Sequence, residues 1–562
     1  MIRDLLTDQA DQPPVDADVL VIGAGTAGLL IATRLAGRGR RVVVLESGGA
    51  QQAAETHPLN QVEQTGTGYL GAEAGRFRCL GGTSTRWGGV MVPFLAEDVG
   101  PHTAGWVDDW GLPWSRLLSH LGDLEQRFHL PPGPYEDPDL LGPVTAGFCT
   151  RLAKVAPVRL RNVATAFQRE LRAETGATIW LNAHVTEIVL DESGRAAGAI
   201  ACAPSGATLN VRAQDVVVAA GTIETTRILL LLDRQHDERI FAPDDVLGRY
   251  FNDHISAPIA RLDPPDRFAL MRLTSFRFDR AGSMRNVRFE MTGPARKAAR
   301  VPASFMYVYY EGSSEGDGLG ALRAVYNALQ SRRRPTVAEL LAVARHAPWF
   351  AQAVWWRFAE KRLLYPANGR FLANLVVEQS PERDNRISLA KDRTDRFGQP
   401  LASIHWRVVA RDLDAFGRLA EAFVDMWDQS RLGSVAKAVP IPSDDWQAKL
   451  TGSGDIFHPA GTVRIGKSPA EGVVGSDLTT FRVPNLHVAS TAAFPVVGGA
   501  NPTMTLLLCA CELADRLAAT TRHALDRALV APTCREDGAA EPARSTPSPG
   551  TRSTPREQTT PP

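Results

Sequence analysis

The stretch Val19–Gly28, with the sequence VLVIGAGTAG, decides the fold of this chain. It predicts a buried strand that ends in a tight glycine-rich turn, and the residues from Thr26 to Gly37 have the apolar spacing of a helix. A second β-rich run, Arg41–Leu45, is followed directly by Glu46. Together they form a βαβ unit of about thirty residues, the length that a dinucleotide-binding fold requires.

The three glycines of this turn have separate physical roles. Gly23 permits the tight turn, Gly25 lets the backbone approach a pyrophosphate, and Gly28 lets the helix pack closely on the strand. The pyrophosphate is then expected at the positive N-terminus of the helix. Glu46 lies eighteen positions after Gly28 and is expected to accept a hydrogen bond from a ribose hydroxyl. An acid here disfavours a 2′-phosphate, so NADP is not expected, whereas FAD and NAD both stay open.

A second glycine-rich segment favours FAD. Leu80–Gly89, LGGTSTRWGG, contains four glycines among small hydroxyl residues. Such a segment offers a long stretch of backbone with few side chains in the way, which suits close approach to a flat ring or a phosphate chain. The alternative is a mobile loop. Since the sequence shows no second βαβ unit for a nicotinamide, we expect FAD.

The composition limits which partners, metal sites and cellular locations are expected for this protein. Lys plus Arg and Asp plus Glu number 62 each, a balance that argues against nucleic acid or an anionic membrane surface as the main partner. The six cysteines are scattered without a CxxC pair, so we expect reduced thiols and no metal site. No apolar run approaches the roughly 18 residues of a transmembrane helix, and residues 1–14 lack a signal-type apolar core. A cytoplasmic protein is expected.

The rest of the chain alternates strand and helix patterns. Runs at 286–291 and 304–310 indicate sheet, 336–365 indicates helix, and 410–427 indicates an amphipathic helix. From 531 to 562 the sequence contains mainly Pro, Thr, Ser, Arg, Glu and Gly. We therefore expect a disordered tail at 531–562.

Taken in order, the motifs resemble those of the glucose–methanol–choline (GMC) oxidoreductase family, whose members bind FAD and oxidise alcohols. They span residues 17–520. The matching pieces are Val21–Gly28 with Glu46, Gly81–Gly89, Val217–Glu224, Gly248–His254, and the contexts of His458 and Asn501.

The resemblance implies an α/β fold, α+β over the whole chain, with a Rossmann-like FAD-binding domain assembled from discontinuous segments. We expect that domain to comprise 15–100, 176–257 and 451–525. A sheet-based substrate-binding domain with cap elements is expected at 101–175 and 258–450.

The resemblance also implies site residues. His458 is expected to face the flavin as the catalytic base, with Asn501 as its partner, which is the His/Asn type of the family. Arg86 stands where some relatives have a histidine bonded covalently to the flavin, so we expect non-covalent FAD. His254 is interpreted as structural, and a position near the flavin stays open for it. The expected FAD-contacting residues are Gly23, Gly25, Gly28, Glu46, Gly81, Gly82, Thr83, Ser84, Trp87, Gly88, Val185, Ala220, Gly221, Asn501 and Thr503.

The chemistry of these residue types agrees with alcohol oxidation. Histidine is the natural base for a hydroxyl proton, and a neutral amide such as that of Asn501 can hold the same oxygen without competing for the proton. The expected substrate is a sugar, glycoside or aminoglycoside-type sugar. Two alternatives stay open: a sterol or other lipid alcohol, and a flavin-binding subunit for electron transfer or assembly in a larger complex. The electron acceptor and the oligomeric state are not determined by the sequence.

Overall fold

The βαβ unit forms as predicted. In the computed structural model, the strand Val15–Ile22 leads into the helix Thr26–Ala36, and the chain returns through the strand Val42–Leu45. The two strands pair in parallel, with Val19 opposite Val42 and Ile22 opposite Leu45. All four residues of the second strand are buried, which explains its unbroken apolar run. The fold class is confirmed as α/β.

The structure describes residues 1–7, 14–137, 145, 147–173, 176–279, 282–312, 317–330, 333–453 and 456–529. The chain divides into two units, Met1–Ala518 and Ala519–Pro562. The three sheets and the candidate site lie in the first unit. The predicted disordered tail at 531–562 lies outside the described residues.

The βαβ unit belongs to a mixed sheet of eight strands. Its parallel part contains the strands Val15–Ile22 and Val42–Leu45, and two antiparallel strands extend one edge. The strand Ile2–Asp4, which the sequence pattern does not predict, pairs at the other edge with Ala177–Leu181. In spatial order the strands are Ile2–Asp4, Ala177–Leu181, Val42–Leu45, Val15–Ile22, Thr208–Val218, Ala196–Cys202 and His184–Leu190, with Leu486–Val488 also paired to Thr208–Val218.

A second sheet of eight strands is antiparallel. Val90–Met91 pair in this sheet, although the predicted boundary assigns them to the FAD-binding domain; the domain boundaries stay a prediction. In spatial order the strands are Lys437–Pro440, His254–Asp263, Arg370–Glu378, Ser304–Glu311, Met284–Met291, Phe148–Val155 and Val90–Met91, with Arg277–Phe278 paired to Met284–Met291. A third sheet contains Arg386–Thr394, Pro400–Trp406 and Val62–Gly66.

The helices cover both eight-stranded sheets. The amphipathic helix predicted at 410–427 is present as Ala410–Gln429, and the helical stretch predicted at 336–365 is present as two helices and a short π-helical turn. No helix in the described part of the chain has both the length and the apolar character needed to cross a bilayer. The α-helices are Thr26–Ala36, Ala96–Val99, Trp114–Leu118, Leu121–Arg127, Val158–Arg161, Val163–Ala166, Gln168–Arg172, Thr222–Gln235, Arg267–Thr274, Gly293–Ala299, Gly318–Gln330, Val337–Arg345, Ala347–Trp355, Ala410–Gln429, Arg431–Val435, Ser443–Ser453 and Thr503–Leu529.

An isolated β-bridge connects the segment before the strand His254–Asp263 with the segment that follows His458. Asn252 and Ala460 form an antiparallel bridge, in which each backbone amide donates to the carbonyl of the other. Asn252 lies two residues before the second-sheet strand His254–Asp263. The bridge therefore places His254 beside His458, although 204 positions separate them in the sequence.

Candidate active site

A cavity of about 240 Å³ lies at the carboxyl ends of three parallel strands. These strands are Val15–Ile22, Val42–Leu45 and Thr208–Val218. This edge of a parallel sheet is where α/β folds bind their ligands. Eight of the residues expected to contact FAD line the cavity: Gly23, Gly25, Glu46, Gly82, Thr83, Val185, Ala220 and Gly221.

The glycines of the first turn fit a dinucleotide in the three predicted ways. A Cβ on Gly28 would lie 2.0 Å from the carbonyl oxygen of Gly23, so this position serves close packing of helix on strand. A Cβ on Gly23, whose φ is +107°, would lie 2.7 Å from the carbonyl oxygen of Ala219. A Cβ on Gly25 would meet no atom within 4 Å, because it would point into open space. Since Gly25 lines the cavity, its bare backbone is free to approach a pyrophosphate.

Glu46 has the geometry of a ribose-binding acid. Its Oε2 accepts the backbone N–H of Ala24 at 2.9 Å and its Oε1 accepts that of Gly48 at 2.9 Å. Burial raises the pKa of the Glu46 carboxyl, while these two backbone donors act in the opposite direction. A carboxylate oxygen accepts more than one hydrogen bond. Both oxygens therefore keep capacity for ribose hydroxyls, and the donor set fits the adenosine end of FAD.

The second glycine-rich segment packs against the first turn. The N–H of Gly81 donates to the carbonyl of Ala24 at 2.9 Å. A Cβ on Gly82 would lie 3.0 Å from the Cα of Gly25. The two glycine-rich turns are thus in direct backbone contact, and Gly82 and Thr83 extend the cavity wall.

Two of the residues expected to touch FAD, Ser84 and Trp87, hold this segment in place through hydrogen bonds. The Ser84 hydroxyl donates to the Gly81 carbonyl and accepts the N–H of Val163. The indole N–H of Trp87 donates to the Arg161 carbonyl at 2.7 Å. The residues expected at FAD that do not line the cavity are Gly28, Gly81, Ser84, Trp87, Gly88, Asn501 and Thr503.

Two arginines that the sequence reasoning missed also line the cavity. Arg76 and Arg78 both lie beside the buried Glu224, at 3.8 Å and 2.7 Å. Burial and the charge of Arg78 lower the pKa of Arg76 to about 9. Their guanidinium groups offer N–H donors suited to a phosphate-containing ligand, and the carboxylates of Glu46 and Glu224, which line the same cavity, balance their charge. No motif in the sequence marks them.

The predicted catalytic pair is brought together next to this cavity. The Nε2 of His458 lies 3.3 Å from the Nδ2 of Asn501. The residues on both sides of His458, Phe457 and Pro459, line the cavity. Phe457 has a φ of +67°, and a bulky residue in this left-handed region stores strain that often marks a functional site.

A buried carboxylate fixes the backbone of His458. The N–H of His458 donates to both carboxylate oxygens of Asp253, at 2.9 and 3.0 Å. The backbone N–H of His254 also donates to Asp253, and so does the Tyr69 hydroxyl. Asp253 stands in the Gly248–His254 motif, but no role for it follows from the motif alone.

His254, for which the sequence leaves a structural role and a position near the flavin open, lies against His458. The two Nδ1 atoms are 3.1 Å apart and the rings are nearly perpendicular, at 79°. The Nε2 of His254 lies 2.8 Å from the carbonyl oxygen of Gly498. Asp253, His254 and His458 have donor atoms within 4.8 Å of one another, a spacing that a metal could use. Both nitrogens of His254 already lie within hydrogen-bond distance of a partner, so a metal at this ring would have to displace its contact with His458.

Arg288 completes the site and was also missed. Its Nη2 donates to the Oδ1 of Asn501 at 2.9 Å, and its guanidinium lies 4.1 Å from the centre of the Phe305 ring. Burial lowers the pKa of Arg288 to about 10, so it stays charged at neutral pH. Burial and the charge of Arg288 lower the pKa of His458 to about 4. His458 is therefore neutral at physiological pH and able to accept a proton.

The cavity and this histidine–amide pair define a dinucleotide-binding flavoprotein with a polar reaction site. Residues 18–58 match the family described as "FAD binding domain", and residues 381–510 match the family described as "GMC oxidoreductase". In these two segments the chain resembles the GMC oxidoreductase family, and its cofactor is FAD.

Individual relatives agree with this assignment. An uncharacterized GMC-type oxidoreductase of Mycobacterium tuberculosis is 33% identical over 257 residues, and the match spans 39% of this chain and 40% of that relative. The 6'''-hydroxyparomomycin C oxidase of Streptomyces lividus is 23% identical, over 87% of this chain and 89% of that protein. The structure of a variant of Aspergillus oryzae formate oxidase has the same fold, with a TM-score of 0.53 and 15% identity over 91% of this chain and all of that chain.

Proposed function

We propose that this protein is an FAD-dependent oxidoreductase that oxidises the CH–OH group of a small alcohol, with a sugar or an aminoglycoside-type sugar as substrate. The main support for the proposal is the contact between a neutral His458 ring and the side-chain amide of Asn501 beside the cavity. A neutral imidazole nitrogen and an amide N–H converge within 3.3 Å of each other, and the neighbours of that histidine line the FAD cavity.

Each side chain of the pair has a distinct task. The substrate hydroxyl takes the place of the Asn501 amide as the donor to Nε2 of His458, and the Nδ2–H of Asn501 then donates to the hydroxyl oxygen. This places the hydroxyl by two hydrogen bonds and fixes the direction of its O–H bond. FAD bound in the cavity supplies the acceptor for the carbinol hydride.

The low pKa of His458, about 4, determines when the proton moves. A base this weak does not deprotonate an alcohol in its ground state. The hydroxyl becomes acidic only as the carbinol C–H bond breaks and the oxygen acquires carbonyl character. His458 therefore accepts the proton together with, or after, cleavage of the C–H bond.

The substrate class is supported by the paromomycin-type relative, whose similarity extends over 87% of this chain. Arg288 and Asn501 also make the reaction site polar, as recognition of several hydroxyl groups requires. A sterol would need an apolar chamber instead.

The proposal is tested by anaerobic absorption spectroscopy of the purified holoprotein. Paromomycin, methyl β-D-glucopyranoside, 1-butanol and cholesterol are added in turn, and the oxidised-flavin band is followed. Bleaching by paromomycin or the glucoside is expected. tert-Butanol is the matched control because it has a hydroxyl but no carbinol hydrogen. Bleaching by cholesterol alone would replace the sugar assignment with the sterol alternative, and a bound flavin that none of them bleaches would contradict the proposal.

A further inference from the structure

The hydrogen bonds of His254 determine where its proton lies. Its Nε2 is 2.8 Å from the carbonyl oxygen of Gly498, which can only accept. Burial, with the neighbouring His458 as a second cause, lowers the pKa of His254 well below its ordinary value, so the ring is neutral. The single ring proton is therefore on Nε2, and Nδ1 carries a lone pair.

The position of the proton on His254 determines the position of the proton on His458. The two Nδ1 atoms are 3.1 Å apart, and a hydrogen bond between them needs one donor. Because Nδ1 of His254 has no proton, Nδ1 of His458 must donate. A neutral His458 then has a bare Nε2.

The hydrogen bonds of Asn501 independently indicate that Nε2 of His458 carries no proton. A guanidinium only donates, so the atom of Asn501 that faces Arg288 at 2.9 Å is its oxygen. The amide nitrogen of Asn501 consequently faces Nε2 of His458 at 3.3 Å and donates to it. Both directions make Nε2 of His458 an acceptor.

The Gly498 carbonyl, which accepts the hydrogen bond from His254, is itself held in one orientation. The N–H of Gly498 donates to Oε1 of Glu378 at 2.8 Å. The residue has a φ of +84°, and a Cβ there would lie 2.3 Å from the Phe94 ring. Packing and this hydrogen bond together hold the Gly498 peptide in one orientation, so its carbonyl stays aimed at His254.

We propose that His254 is a positioning residue that holds His458 in the tautomer protonated on Nδ1, so that Nε2 is always the nitrogen that accepts the substrate proton. The use of this tautomer rests on the proposed function, whereas the tautomer itself does not. A positioning residue of this kind sets both the proton location and the ring orientation of the base it contacts.

The test uses two matched variants that separate the two hydrogen bonds of His254. In His254→Asn the amide lies near the position of ring Nδ1 and can still accept from His458. In His254→Gln the amide lies near the position of ring Nε2, so it can still donate to the Gly498 carbonyl and preserve the fold, but it does not reach His458. Retention of the flavin spectrum checks that both variants are folded.

The direct readout is the protonation of the His458 ring nitrogens in holoprotein labelled with ¹⁵N-histidine, measured by long-range ¹H–¹⁵N correlation without any substrate. The chain has 12 histidines, and the signals missing in His458→Ala identify the relevant ring. Wild type and His254→Asn are expected to show a protonated Nδ1 and a bare Nε2, whereas His254→Gln is expected to gain the Nε2-protonated form. A wild-type ring protonated on Nε2, or an unchanged ring in His254→Gln, would overturn the proposal.

The kinetic readout is the rate of anaerobic flavin bleaching by paromomycin. Because general-base catalysis contributes on the order of 10²–10⁴-fold, His254→Gln is expected to be slower than wild type by about 10²-fold. His254→Asn is expected to recover at least about tenfold of that loss. Full activity in His254→Gln together with an inactive His458→Ala would refute the positioning role alone. Full activity in His458→Ala would refute the proposed function, and the nitrogen spectrum would still decide the tautomer.

Discussion

Replacing Arg288 should move the acid limit of activity. The guanidinium reaches His458 through one side-chain amide, with contacts of 2.9 Å and 3.3 Å on its two sides. These contacts place the charge roughly 8 Å from Nε2, where an effective dielectric constant of about 20 gives a repulsion of about 2 kcal/mol against a protonated histidine. Burial is the larger cause of the low pKa of His458, which limits the share of the charge to about one unit. Removing the charge in Arg288→Met should therefore raise the pKa of His458 from about 4 to about 5.

The sign of the effect follows from the role of His458. The base works only when neutral, so activity is lost as the pH falls through the pKa of His458, and a higher pKa moves that loss to higher pH. With values of about 4 and 5, the neutral fraction at pH 5 falls from about 0.9 to about 0.5. Arg288→Met should bleach about twofold more slowly at pH 5 from this cause, relative to its own rate at pH 7.

The assay is single-turnover flavin bleaching by paromomycin between pH 4.5 and 8. Arg288→Lys is the matched control, because it keeps the charge and removes the planar guanidinium. Its acid limit should stay close to that of wild type. An acid limit that is the same in Arg288→Met and wild type, or that moves equally in the Lys and Met variants, would refute the electrostatic reasoning.

Three further predictions concern the cofactor cavity and the tail. Gly25→Ala should weaken FAD binding in a flavin titration without changing the Tm of the apoprotein, because its Cβ would enter open space. Gly28→Ala should lower the Tm, since a Cβ 2.0 Å from a carbonyl oxygen costs about 1–3 kcal/mol or more. Equal effects of the two substitutions would contradict the separate roles of the two glycines. Glu46→Gln should lower stability by about 1–3 kcal/mol in urea unfolding, because one of two buried backbone donors then faces an NH₂ group; an unchanged midpoint would count against the two hydrogen bonds. Truncation after Leu529 should leave FAD content and bleaching rates intact, and loss of the folded protein would disprove the assignment of 531–562 as dispensable.

The parts of the fold that the sequence predicts are those encoded locally. The run Val19–Gly28 contains its own strand, turn and helix start, so the βαβ unit and the separate roles of its glycines follow from spacing alone. The strand Ile2–Asp4 could not be predicted, because three residues at a sheet edge have no detectable periodicity.

The candidate site likewise contains residues that a local motif indicates and residues that only tertiary contacts bring there. His458 and Asn501 could be predicted as a pair because their contexts resemble those of the GMC family, and their side chains lie 3.3 Å apart in the structure. Arg288 carries no such context; its contact with Asn501 spans 213 positions and depends on the second sheet. His254 was interpreted as structural because its contact with His458 depends on the bridge between Asn252 and Ala460, which no local pattern indicates.

The most direct test of the account is a comparison of His458→Ala with wild type in anaerobic bleaching by paromomycin. If His458 is the base, the variant keeps its FAD, because His458 does not line the cavity. Bleaching then slows by at least about 10²-fold, the usual contribution of a general base. A variant that retains FAD and bleaches at the wild-type rate would contradict the assignment of His458 as the base.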